Sequence, residues 1–229
     1  MKLLIFDVDG TLTYLDGATR RAFNAAFRKV FHVDAVVTNL KLHGRTDPII
    51  FQDCFRTTGL TGDWRVSFDR FREAYVEALP GAIAASSNIG MHPGIPELLE
   101  SLSERSDVAL ALGTGNMEAG ARAKIAVFDL NRYFPVGGFG DSHCERSSII
   151  RDALVNAQRY YETVFDLSDV WVIGDTPLDV AGGKAIGART MGVATGGAFS
   201  YEELVAADPD VAFHDLSDTG LVLNALDLT

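Results

Sequence analysis

Four aspartates and one threonine carry the chemistry that this sequence offers. Asp7 and Asp9 lie in Asp7-Val8-Asp9-Gly10-Thr11-Leu12, directly after an apolar run at 3–6. Asp175 and Asp179 lie in Gly174-Asp175-Thr176-Pro177-Leu178-Asp179, after a second apolar run at 170–173. Strand residues two apart point the same way, so Asp7 and Asp9 begin on a common side, and Gly10 lets the chain turn sharply after them. Each motif taken alone has a plainer reading. Asp7 and Asp9 suit a polar strand end, Asp175 a helix cap, and Asp179 the first turn of a helix. If the strands are parallel and end at one edge, all four carboxylates converge. Close carboxylates resist joint ionisation, and a divalent cation relieves the conflict. Oxygen donors without neighbouring His or Cys favour magnesium over zinc or copper.

Thr114 stands in Leu112-Gly113-Thr114-Gly115-Asn116, at the end of another apolar run. A hydroxyl and free backbone N–H groups at such a turn can cradle phosphate, with Gly115 and Asn116 beside Thr114 as further binding candidates. The alternative is a helix cap by Thr114 or Asn116. The turn is not a dinucleotide fingerprint, because Glu118 stands where a third Gly is required. Gly182-Gly183-Lys184 is not a P-loop, because Leu178 and Ala185 occupy its Gly and Ser/Thr positions.

These residues need a frame. Short apolar runs at 3–6, 108–112, 170–173, 190–193 and 211–213 read as buried strands. Helical patterns at 96–103, 118–128, 148–161, 177–186 and 201–206 separate most of them. Strands buried on both faces and alternating with helices imply an α/β fold, a doubly wound open parallel sheet with a Rossmann-like core. The alternation fails between Tyr14 and Asn88, where only helical patterns appear, at 19–31, from Asp47-Pro48 onward, and at 64–79 ended by Pro80-Gly81. Asp47 reads as the cap of its helix. The expected organisation is a discontinuous core of residues 1–13 and 91–229 with a helical cap domain at 14–90. Hinges are expected near 13–16 and 90–94.

Bulk properties narrow the partners. The 229 residues are 47% hydrophobic and 22% charged, enough for a sizeable core and against disorder. The formal net charge of −11 repels nucleic acid and anionic membrane, so neither is an expected partner. Cys54 and Cys144 form no metal spacing and no disulfide framework, and are expected to be free and buried. The short apolar N-terminus is interrupted by Asp7, so no signal peptide is read there and a cytoplasmic location is expected. A monomer or weak dimer is expected.

The ordered set Asp7-x-Asp9-Gly10-Thr11, a strand ending at Thr114, and Gly174-Asp175-x-x-x-Asp179 resembles the haloacid dehalogenase-like hydrolase superfamily. The insert after the first strand is similar to that of its phosphoglycolate phosphatase and phosphomutase branch. The resemblance implies that Asp7 is the nucleophile and Asp9 the general acid and base. It implies that Thr114 binds phosphate, and that magnesium is held by Asp7, the backbone carbonyl of Asp9 and Asp175, with Asp179 assisting. One element departs from the family. A Lys is expected ahead of a late helix, where this chain has Cys144-Glu145-Arg146-Ser147. Arg146 is the candidate substitute, because its fork grips phosphate. Lys124 is held in reserve, since its mid-helix position suits a surface face. Gly44 and Arg45, in the insert, sit where the related branch touches the leaving group, and Arg45 could read a carboxylate.

The expected activity is hydrolysis of a small phosphate monoester, such as phosphoglycolate, by a phosphoric monoester hydrolase. Asp7 attacks phosphorus, an aspartyl-phosphate forms, and water releases it with help from Asp9. For the first step Asp9 needs a proton, so acidic neighbours are expected to raise its pKa. A sugar-phosphate mutase would share the intermediate, and a non-catalytic phosphoacceptor would share the acidic cluster. A phosphonate hydrolase would want a Schiff-base lysine, for which the insert offers only Lys29 and Lys41.

Overall fold

A computed structural model of the chain describes residues 1–35, 43–141 and 143–229. Lys41 lies outside these residues. Strand β1 (Lys2–Phe6) lies inside a parallel sheet, as its wholly apolar run from Leu3 to Phe6, buried on both faces, requires. The described sheet runs β5 (Val136–Gly138), β4 (Val108–Gly113), β1, β6 (Val170–Gly174), β7 (Arg189–Val193) and β8 (Val211–Phe213). Phe6 aligns with Leu112 on one side and with Ile173 on the other, so β4, β1 and β6 end level.

The strand residues alternate between two apolar layers, as period-two geometry requires. Leu4, Phe6, Leu110, Leu112, Trp171 and Ile173 face the cluster shared with α4 (Ile95–Ser103) and α5 (Glu118–Ala126). Leu3, Ile5, Ala109, Ala111 and Val172 face α6 (Arg146–Tyr160) through Ile150, Ala153 and Ala157. Helix α7 (Pro177–Ile186) follows β6, α8 (Tyr201–Ala206) follows β7, and α9 (Thr219–Ala225) closes the chain.

The cap helices gather around a further apolar cluster, which Met117 at the start of α5 also joins. Helices α1 (Ala18–Phe31), α2 (Asp47–Thr57) and α3 (Trp64–Ala84) share a cluster built on Phe23, Phe27, Phe51, Phe71 and Tyr75. Ring centroids of Phe51 and Phe71 lie 4.7 Å apart, and those of Phe23 and Phe71 4.8 Å apart. Aromatic pairs at such spacing add to what burial alone contributes.

The structure corrects the sequence reading in four places. The stretch from Tyr14 to Asn88 is not purely helical at its edges. Strands β2 (Thr13–Leu15) and β3 (Ile89–Met91) pair antiparallel and carry the chain into and out of the cap. Pro80 does not end α3. The helix continues to Ala84, with Ile83 seated in the cap core and the Ala85 N–H closing on Gly81. Strand β5 and helix α9 were not expected. Cys54 is buried, but Cys144 is exposed.

Candidate active site

Asp7 is the first residue past β1, and its N–H still donates to the Ile173 carbonyl at 2.9 Å. Asp175 follows the last residue of β6, and Asp179 sits in the first turn of α7. Carboxylate oxygens of Asp7, Asp175 and Asp179 lie within 4.8 Å of one another, and all three residues are buried. The chain between Asp9 and Thr11 can pass this close because of Gly10, at φ +86°. A Cβ there would run into the Asp175 carboxylate. Asp175 does not cap α7. That position belongs to Thr176, whose N–H and hydroxyl donate to Asp179 Oδ2 at 3.1 and 2.7 Å.

The cluster carries excess negative charge. The Arg146 guanidinium, buried at the start of α6, is the cation inserted into it. Its Nε stands 3.1 Å from Asp179 Oδ1 and its Nη1 3.6 Å from Asp7 Oδ1. Arg146 Nη1 also donates to the Gly113 carbonyl at 3.3 Å. Burial pushes the Asp7 carboxyl up, Arg146 pulls it down, and Asp179 pushes it up again, leaving it at about 7. Burial and then the charges of Asp7 and Asp179 raise Asp175 well above the usual carboxylate range. Asp7 Oδ1 and Asp179 Oδ1 are buried without a hydrogen-bond donor. Three carboxylates against one guanidinium, with unsatisfied oxygens turned toward one another, fit a hard divalent cation.

Asp9 points elsewhere. Its Oδ2 accepts from Asn116 Nδ2 at 2.9 Å and from Lys124 Nζ at 2.5 Å. Lys124 also donates to Asn116 Oδ1. The Lys124 side chain is 0% exposed, whereas that of Asp9 is 43% exposed to the cavity. Lys124 is therefore not on a surface face. The signal was present in the sequence: α5 buries Gly120, Ala121, Lys124 and Ile125, which form one helical stripe. The expected rise in Asp9 is also reversed. Burial alone would raise its carboxyl, but the Lys124 charge and the hydrogen bonds from Lys124 and Asn116 hold it below the usual range.

The cap closes over this edge. A cavity of about 500 Å³ is lined by Asp7, Asp9, Thr114, Arg146 and Gly196 from the core and by Arg20, His43 and Arg45 from the cap. Gly44, Gly115 and Asn116 line it too. Thr114 is fully buried, and its oxygen accepts from the Asn116 N–H and side-chain amide. At Gly115 the two units meet backbone against backbone. Its carbonyl accepts from the Asp47 N–H at 2.9 Å, and a Cβ would stand 2.5 Å from the Arg45 carbonyl oxygen. Asp47 does not cap its own helix as expected; its Oδ2 instead accepts from the Met117 N–H at 2.9 Å, beside the start of α5. Burial pushes the Asp47 carboxyl up to about 6, with Lys124 pulling against it. Arg45 pairs with Asp53 at 2.5 Å within the cap. Gly44 packs on Thr176 and Leu178 of the core. Sequence reasoning gave no role to Arg20, which belongs to no motif, nor to His43, although it directly precedes Gly44-Arg45.

The acidic cluster sits at the carboxyl edge of an open parallel sheet, where α/β folds bind their ligands. Residues 1–187 match the haloacid dehalogenase-like hydrolases, and the chain belongs to that family. Among proteins of curated function none matches. Solved structures resemble it over nearly its full length. CbbY from Rhodobacter sphaeroides, in complex with phosphate, is 21% identical with a TM-score of 0.72, covering 100% of both chains. A predicted phosphoglycolate phosphatase from Haemophilus somnus 129pt is 19% identical with a TM-score of 0.71, covering 97% of both. A hydrolase from Pseudomonas syringae is 20% identical with a TM-score of 0.69, covering 99% of this chain and 98% of that one. At these identities the likeness is one of fold. No helix among the described residues is long and apolar enough to cross a membrane.

Proposed function

We propose that this chain is a magnesium-dependent phosphatase that hydrolyses a small phosphate monoester through an aspartyl-phosphate on Asp7. The observation that carries the reading is the buried Asp7 carboxylate, facing the cavity beside Arg146 and Thr114 at the edge of an acidic triad. Asp7, Asp175 and Asp179, with the Asp9 carbonyl, would hold the magnesium. When bound, the ion offsets the repulsion among these carboxylates and draws in phosphate oxygens.

The residues then divide the work. Asp7 attacks phosphorus, and the ester oxygen leaves with the electron pair of the broken P–O bond. Arg146 offsets charge on the equatorial oxygens with a fixed fork. Thr114 keeps its own hydroxyl proton for a phosphate oxygen, since two N–H groups already occupy its oxygen. Asp9 gives a proton to the departing oxygen. In the second step it takes one from the water that attacks the aspartyl-phosphate. Its depressed pKa suits the second task, and the first draws on its minor protonated form. The cap excludes bulk water and places Arg20, His43 and Arg45 near the leaving group. A cavity of about 500 Å³ suits a small metabolite, and phosphoglycolate is a first substrate to test.

The experiment is a phosphate-release assay with a panel of phosphorylated metabolites and magnesium. Asp7→Asn should lower turnover by about 10⁴-fold or more while circular dichroism shows an intact fold. Full activity in that variant would refute the nucleophile.

A further inference from the structure

We propose that Lys124 is the positioning residue for Asp9: with Asn116 it anchors one carboxylate oxygen, so that the side chain faces the leaving group and stays out of the acidic triad. The inference rests on the reading of Asp9 as the group that exchanges protons with the leaving oxygen and with water.

The geometry is specific. Asp9 stands two residues from Asp7, yet the carboxylates grouped within 4.8 Å are those of Asp7, Asp175 and Asp179. A fourth carboxylate so near a metal site would be drawn to the cation. Two donors hold it away, Lys124 Nζ at 2.5 Å and Asn116 Nδ2 at 2.9 Å, both on Oδ2. Lys124 in turn fixes the amide, because it also donates to Asn116 Oδ1. That contact sets which end of Asn116 meets Asp9. Both donors stand on or beside α5, whose start is gripped by Asp47 of the cap through the Met117 N–H. The anchor is therefore tied to the seating of the cap.

A role in the fold alone would leave different traces. Desolvating an ammonium is costly, and stability is often served as well by an apolar residue of similar shape. Here the fully buried ammonium is aimed at a carboxylate that remains open to the cavity. Methionine at 124 would fill the same volume while removing the anchor.

Two measurements on Lys124→Met test the proposal. The first is its crystal structure, in which the Asp9 carboxylate should have left Asn116. The second compares kcat/KM, with magnesium, for phosphoglycolate and p-nitrophenyl phosphate. An alkoxide needs a proton as it leaves and a nitrophenolate does not. The alkyl ester should therefore lose about 100-fold and the aryl ester less than about threefold. Hydrolysis of the aspartyl-phosphate follows release of the alcohol, so it does not enter kcat/KM. Equal losses on both esters, no loss on either, or Asp9 unmoved in the crystal would overturn the proposal. If Lys124→Met does not fold, Lys124→Leu takes both measurements. It should lose about 100-fold on the alkyl ester and less than about threefold on the aryl ester, and equal or absent losses again count against the anchor. If the wild-type protein hydrolyses neither ester, the best alkyl phosphate of the metabolite panel replaces phosphoglycolate; if it hydrolyses none, the phosphatase reading fails, and the crystal structure still decides the position of Asp9.

Discussion

Asp7 and Asp9 leave the same strand two residues apart, yet they enter opposite electrostatic environments. Asp7 joins two other buried carboxylates around one guanidinium, and its carboxyl is pushed up to about 7. Asp9 meets an ammonium and an amide, and its carboxyl is held below the usual range. Burial acts in the same direction on both. What separates them is the count of charges within reach: three anions share one cation at Asp7, while at Asp9 a lysine is contacted directly. The surplus of negative charge at Asp7 is what the proposed cation would offset, whereas the charges at Asp9 are matched by its own partners.

The comparison can be broken most severely at the triad. Asp175→Asn removes one carboxylate of the proposed metal site without touching Lys124. It should raise the magnesium concentration for half-maximal activity by about 100-fold, read by titration in the phosphate-release assay. A shift below about threefold would mean that Asp175 is no ligand.

A smaller effect follows from the raised carboxyl of Asp7. Between its ordinary 3.8 and about 7, Asp7 is protonated in the folded chain and ionised in the unfolded one. The folded state then binds more protons, so metal-free stability falls as pH rises through that window and stays low above it. In a chelator, Tm should therefore be lower at pH 8 than at pH 5. Asp7→Asn should raise Tm at pH 8 by at least about 3 °C, and magnesium should raise that of the wild type. A variant with no gain at pH 8 would show that the triad is not strained by its charge.

The smallest effect sharpens the other side. Lys29 Nζ meets Glu77 Oε2 at 2.5 Å, the separation found between Lys124 and Asp9. Its side chains are 56% and 71% exposed, so solvent screens the pair. Lys29→Met should change stability by less than about 0.5 kcal/mol in urea denaturation. A larger loss would mean that distance, and not burial, governs these pairs.

The sheet and the acidic motifs were legible because each signal is local. Apolar runs followed by Asp7, Thr114 and Asp175 put strand ends and functional groups in one short stretch. The helical patterns at 177–186 and 201–206 match α7 and α8 to the residue, and the structure caps these helices with Thr176 and with Ser200 and Glu203. Strands β2, β3 and β5 escaped because a polar residue or glycines interrupt each (Thr13-Tyr14-Leu15, Ile89-Gly90-Met91, Val136-Gly137-Gly138), whereas the equally short β8, Val211-Ala212-Phe213, is wholly apolar. Lys124 was misread because a charge in a helix is usually solvated, and its partners Asp9 and Asp47 are remote in sequence. Asp47 looked like a cap because Pro48 follows it. Only the folded chain brings the Met117 N–H within its reach.

The paired strands β2 and β3 bring the two ends of the insert together at one point of the fold. Leu15 and Ile89 are register partners, so the chain leaves the sheet and returns to it side by side. A short hairpin turn between them would close the polypeptide without stretching the parallel sheet. A different insert between those two residues would enter and leave at the same place, but it would have to replace the grip of Asp47 on Met117 and Gly115 to keep the floor in register.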